Sequence, residues 1–221
     1  MKTAEIKVEL LDSMGSDLTV ANVARVSFDK QSTLHDDGSL QNGDVRLINY
    51  LATHDHWSPF AHCFAQFRIK APIFVARQLV KHQVGLSWNE VSRRYVDSEP
   101  EVYVPKEFHG RADNVKQGSG EALGYYGEAY VKPGFTRATS DALEAYNTLL
   151  AEGVAPEEAR MVLPLNTMTE WVWSGSLMAF ARVCKQRLDP HAQRACREVA
   201  EQIDQRLRHL FPESMAALLD N

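Results

Sequence analysis

Residues 63–83 read CFAQFRIKAPIFVARQLVKHQ and hold two periodicities back to back. From Cys63 to Lys70, aromatic and apolar side chains alternate with polar ones, the two-residue repeat of a strand with one buried face. The run then meets Ala71-Pro72, where proline restricts its predecessor to extended backbone. Beyond that boundary the repeat changes. Pro72 suits a first helical turn, Ile73, Val75, Ala76, Leu79 and Val80 form an apolar stripe, and Arg77, Gln78 and Lys81 fall on other sides. A strand feeding directly into a helix points to a mixed α and β fold.

Upstream, Ile6, Val8 and Leu10 alternate with polar residues and predict an edge strand within the first twenty positions. Val23 to Phe28 reads as a short helix or strand. Asp, Ser, Gly and Asn dominate residues 29–44, predicting a surface loop, and Val45 to Thr53 predicts a helix with Leu47, Ile48 and Leu51 inward. Downstream, residues 85–105 read as irregular, with a short extended stretch at Glu101 to Val104. Residues 106–138 read as a loop or broken helix, and Ser140 to Ala151 as helix. Pro156 with Glu157 and Glu158 marks a helix start, because carboxylates favour the positive end of the helix dipole; Pro164 ends that element. Recurrent apolar positions predict long helices at Met168–Arg187 and about Pro190–Leu210. No repeat or linker divides the chain, so residues 1–221 read as a single α+β domain with a strand-rich N-terminal part and a long-helix C-terminal part.

The chain has 221 residues, 24 Lys and Arg against 29 Asp and Glu, and a formal net charge of -5. That balance argues against a nucleic-acid coat, which needs a basic excess, but leaves room for one small anion in a locally basic pocket. Three cysteines without a CxxC pair favour a reducing compartment over a zinc knuckle or redox dithiol. The first ten residues lack an apolar leader core and no apolar run reaches membrane-span length, so the expectation is a cytoplasmic protein with no membrane partner.

Motif templates mostly exclude. His54, His56 and His62 are not spaced as a zinc helix requires, so no metal is expected, and GxGxxG, Walker A and GxSxG are all missing. GSGEALG at 118–124 lacks strand-loop-helix context. The informative features are local. Seven bases against four acids lie between Phe180 and Arg208, a positive face or a solvated helix surface; Arg187, His191 and Arg194 share that face only if Pro190 does not start a new helix. Residues 81–95 set Lys81, His82, Arg93 and Arg94 beside Ser87, Asn89, Glu90, Ser92, Trp88 and Tyr95. These types suit a phosphorylated heteroaromatic ligand, since guanidinium groups fork onto phosphate while amides and hydroxyls read a base or sugar; an ordinary helix-loop junction could carry the same string.

Three ordered blocks, HWSPFAHCFAQFRIKAPIFVARQ (56–78), SWNEVSRRY (87–95) and ARMVLP with QRLDPHAQ (159–164 and 186–193), together with ARVSF (24–28), resemble the flavin-dependent thymidylate synthase family. The resemblance implies reductive methylation of dUMP at C5 to dTMP, with methylenetetrahydrofolate as carbon donor, FAD as hydride carrier and NADPH as reductant, in a homotetramer whose subunits share active sites. It implies Arg187 against the pyrimidine as the catalytic group, and Gln78, Lys81, Glu90, Ser92, Arg94 and Arg160 on the nucleotide. Ser27, His56, Ser58, His82 and His191 would hold flavin. Two departures stand out. Family members commonly carry Arg-His-Arg and two residues before the serine of the second block, whereas this chain has Lys81-His82-Gln83 and then Val84, Gly85 and Leu86 before Ser87; the segment is longer by one residue and less positive. Asparagines and an arginine usual in the family helix are missing from Trp173–Arg187. Alternatives are a relative that modifies another pyrimidine nucleotide and a nucleotide-binding protein without turnover.

Overall fold

The computed structural model describes residues 1–96, 98–113 and 118–220. Its elements in chain order are β1 (Lys2–Thr3), β2 (Lys7–Met14), α1 (Asp17–Arg25), α2 (Asn42–Thr53), β3 (Phe64–Pro72), α3 (Ile73–Leu79), β4 (Leu86–Glu90), β5 (Glu101–Val102), α4 (Gly124–Ala151), α5 (Pro156–Ala159), β6 (Met168–Ser176), α6 (Leu177–Arg187), α7 (Arg194–Leu210) and α8 (Pro212–Leu219). Short 3-10 turns follow α1, precede β3 and follow α5, at Val26–Phe28, Ser58–His62 and Arg160–Val162. This is the α+β domain expected, with strands early and helices late.

An antiparallel sheet of order β2-β3-β6-β4 forms the frame, and β1 pairs with β5 separately. Register places Phe67 opposite Trp173 and Ile69 opposite Trp171, with Val8 beside Ile69, all on the buried face. Val199, Ile203 and Leu207 of α7, Phe180 of α6 and Phe211 and Met215 near α8 cover that face. Aromatic rings meet edge to face across the join: Phe180 lies 5.0 Å from Phe67 and 5.4 Å from Trp173. The outer strand β2 is sealed by Gln202 of α7, whose Oε1 accepts from Val8 N at 3.0 Å and whose Nε2 donates to Ile6 O at 3.3 Å. Asp17 ties the first helix to the last, accepting from Glu213 N at 2.9 Å and Ser214 N at 3.0 Å at the α8 start.

Four readings are corrected. Met168–Arg187 is not one helix: Met168–Ser176 is the second central strand, and α6 begins only at Leu177. Trp171, Trp173 and Gly175 are buried at every second position, and Ser176, extended at φ -72° and ψ 154°, caps α6 by accepting from Ala179 N at 3.2 Å. Apolar density mimicked a helix where the period was two. Residues 86–90, read as irregular, are strand β4, paired to β6 with Leu86 opposite Gly175. Gly124–Ala151 is one helix despite Pro133, where a loop or broken helix was expected up to 138; buried Thr139, Leu143 and Tyr146 anchor its second half against the glycines' low propensity. Positions 114–117 of that reading lie outside the described residues. The helix expected from Pro190 begins at Arg194 instead, so Arg187 and His191 do not share a helix face with Arg194. Among the described residues, no helix is long and apolar enough to cross a membrane.

The return from α3 to β4 turns on Gly85. Its φ of +74° is a conformation glycine adopts without penalty, and its carbonyl accepts from Ser176 N at 3.2 Å. Gly175 faces that carbonyl so closely that an added Cβ would stand 2.4 Å from Gly85 O and 2.5 Å from Leu86 Cδ2. Gly175→Ala is expected to lower unfolding stability by about 1–3 kcal/mol through overpacking, read from the urea midpoint. An unchanged midpoint would refute this account of the turn.

Candidate functional site

The turn after α3 meets the end of α6 at a cavity of about 350 Å³ lined by Lys81, His82, Gln83, Val84, Leu86, Ala179, Arg182, Gln186 and Arg187. Register explains the meeting. Helix α3 and the turn return the chain to the sheet end where α6 starts, and eleven residues of α6 carry Arg187 back across the opening. Arg187 Nε donates to His82 Nε2 at 3.0 Å, so the imidazole is an acceptor there and carries its proton on Nδ1. Burial, and then the Arg187 charge, hold His82 below the usual imidazole range. Within the Lys81–Ser87 segment, Gly85 packs on Ala179. Lys81 and Arg182 supply further positive charge to the same cavity.

Glu90 and Arg160 line a second cavity of about 350 Å³, with Lys70, Arg93, Glu101 and Thr169 on its walls. Thr169 Oγ1 donates to Glu90 Oε1 at 2.7 Å and Trp88 Nε1 donates to Glu90 Oε2 at 3.2 Å. Lys70 is paired with Glu101, which also meets Lys2 Nζ at 3.1 Å; those bonds hold the Glu101 carboxyl below the usual range. Arg160, which lines the cavity, donates from Nε to Glu157 O at 3.2 Å. Sequence reasoning missed Lys70 and Thr169. Lys70 was visible only as a polar strand position, and Thr169 lay inside a segment read as helix.

The remaining predicted residues lie elsewhere on the chain. Ser92 and Arg94 share an exposed turn, Arg94 Nε donating to Ser92 Oγ at 3.0 Å and its guanidinium sitting 5.0 Å from the Tyr95 ring centre. Gln78 projects from α3 and its Oε1 accepts from Cys196 Sγ at 2.6 Å, a thiol pushed up to about 11 by burial. His56 and Ser58 follow α2 beside a Tyr50–His54 stack at 4.1 Å, while Ser27 lies in the turn after α1. His191 sits past α6, its backbone N donating to Asp189 Oδ1 at 2.7 Å. The structure therefore unites Lys81, His82 and Arg187, and separately Glu90 and Arg160, and sets the other groups on further surfaces. A further cavity, about 750 Å³ between Tyr103, Phe108, Phe135 and the start of α7, contains none of the predicted residues.

Comparison with known proteins gives one answer. The family model described as thymidylate synthase complementing protein matches residues 9–213. A flavin-dependent thymidylate synthase of Thermus thermophilus is 39% identical over 211 residues, covering 95% of this chain and 74% of the relative. That of Thermotoga neapolitana is 34% identical over 217 residues, covering 96% and 90%. The crystal structure of the UMP/dUMP methylase PolB from Streptomyces cacaoi bound with 5-Br dUMP superposes with a TM-score of 0.84 at 32% identity, covering 98% of this chain and 96% of that one. Fold, ordered blocks and relatives agree over nearly the full length, and the chain belongs to the flavin-dependent thymidylate synthase family.

Proposed function

We infer that the protein is an enzyme that reductively methylates dUMP at C5 to give dTMP. Methylenetetrahydrofolate is the carbon donor, FAD the hydride carrier and NADPH the reductant. The observation that carries this reading is the Arg187–His82 contact inside a cationic cavity, in a chain of this family. A guanidinium that stays charged at every working pH stabilises the negative charge that grows on the pyrimidine as C5 becomes nucleophilic. Accepting from Nε fixes the plane of that guanidinium, and the neutral imidazole spares it a like charge. Arg160, Gln78, Glu90, Ser92 and Arg94 bind the rest of the nucleotide, and Lys81 lies near its phosphate.

The residues fit a dinucleotide cofactor in chemistry: Arg182 offers a cation to a diphosphate, and His82 keeps Nδ1–H as a donor. Bound there, FAD would supply the hydride transfer, with Ser27, His56, Ser58, His82 and His191 holding it. Because one chain sets these groups on several separate surfaces, we place the working site between subunits of a homotetramer. Three free, buried cysteines suit a reducing cytoplasm. UMP as a further substrate is a second reading, favoured by the relative described as a UMP/dUMP methylase and by the altered Lys81-His82-Gln83 segment.

The purified protein is expected to bind flavin, to be yellow, and to form dTMP with oxidation of NADPH only when dUMP and methylenetetrahydrofolate are both present. Absence of flavin binding together with absence of product would overturn the reading, and binding of dUMP without NADPH oxidation would mark a binding protein. Arg187→Ala is expected to retain fold and flavin while losing turnover by at least about a hundred-fold, the usual scale for a lost transition-state donor; undiminished turnover would remove Arg187 from the chemistry. His82 should titrate below 6.5 by NMR and move upward, though not fully, in R187A, since burial remains. The unfolded chain binds the His82 proton at higher pH than the folded one, so this group lowers stability as pH falls through 6.5.

A further inference from the structure

We propose that Trp88 and Thr169 are positioning residues that clamp the Glu90 carboxylate in the orientation in which it receives the nucleotide. The proposal rests on the reading of Glu90 as a nucleotide-binding residue. Glu90 is the last residue of β4, at the mouth of the second cavity, and a free glutamate there would distribute itself over many rotamers. Two donors from two strands remove that freedom, one on each oxygen.

Both donors are held by the fold. Trp88 lies two residues before Glu90 on the same side of β4, and its ring stacks on Trp171 at 4.3 Å with 18° between planes and stands edge-on to Trp173 at 5.5 Å. Trp171 and Trp173 are themselves buried in the sheet core. The indole N–H is thus aimed by core packing rather than by its own rotamer preference. Thr169 comes from β6, two residues before Trp171, which is the registered partner of Glu90, so its hydroxyl reaches the carboxylate along the diagonal of the antiparallel pair.

The clamp leaves Glu90 usable. Each carboxylate oxygen has two lone pairs and gives up one, and among the described residues Glu90 enters no ion pair, although Arg93 and Arg160 line the same cavity. What remains is acceptor capacity on both oxygens of a held carboxylate, in a cavity that Arg93 and Arg160 also line. That set recognises a ligand offering hydroxyl or ring N–H donors next to an anionic group, the pattern of a nucleoside monophosphate.

The test measures dUMP dissociation constants by calorimetry, and kcat and KM, on flavin-loaded protein. Thr169→Val removes only the hydroxyl. It is expected to weaken dUMP binding and raise KM about ten-fold, the scale of one hydrogen bond to a charged group, with kcat at saturation and the melting temperature nearly unchanged. Thr169→Ser should restore binding, Trp88→Phe should weaken it while keeping the stack, and Thr169→Val should have no further effect in an E90Q background. If E90Q weakens dUMP binding while T169V and W88F bind like the parent, or if T169V acts equally in both backgrounds, the clamp is refuted and the reading of Glu90 survives. If E90Q itself leaves dUMP binding unchanged, that reading fails and the clamp falls with it.

Discussion

The register of β3 against β6 is the constraint on which the molecule depends. Setting Phe67 opposite Trp173 and Ile69 opposite Trp171 buries four large side chains on one face, and a one-residue slip would turn all of them to the other side. The same register decides where the helices leave. Pro72 and Ser176 end their strands with nearly the same extended backbone, φ -68° and ψ 153° against φ -72° and ψ 154°, at opposite ends of the pair. From those two joints α3 and α6 set out, and the Arg187–His82 bond ties the end of α6 to the turn that follows α3.

Chemistry follows from this frame with little added structure. One cavity collects positive charge at a helix end and keeps its imidazole neutral by burial; the other holds a carboxylate by two donors, the Trp88 indole and the Thr169 hydroxyl. In the proposed function the first would serve groups whose charge grows during reaction and the second would orient the ligand before it. The segment between Gln83 and β4 is fitted closely to that frame. Gly85 takes a positive φ, its carbonyl is used by Ser176 N, and Gly175 gives it space.

The sequence revealed the β3–α3 join because a two-residue repeat, a proline and a helical stripe follow one another there without ambiguity. It concealed β6 because Trp171, Val172, Trp173 and the apolar start of α6 run together, and density without a turn signal reads as one helix. It concealed the first half of α4, where Gly124, Gly127, Pro133 and Gly134 oppose helix locally. Of the residues that the resemblance named, Lys81, His82 and Arg187 line one cavity and Glu90 and Arg160 another, a grouping that sequence order alone does not show. Thr169 was not legible in the sequence, since its relation to Glu90 exists only through the pairing of two strands 79 positions apart.

In the proposed homotetramer the active site is a product of assembly: Arg187 and Arg160, which line separate cavities of one chain, would act on one nucleotide across a subunit boundary. Co-expression of R187A with R160A subunits tests this most directly, with native mass spectrometry to establish mixed tetramers and dTMP formation as the readout. Each parent alone is expected to be inactive and the mixed assemblies to recover activity, because some sites then draw an intact Arg187 from one subunit and an intact Arg160 from its neighbour. Mixed tetramers as inactive as their parents would contradict it.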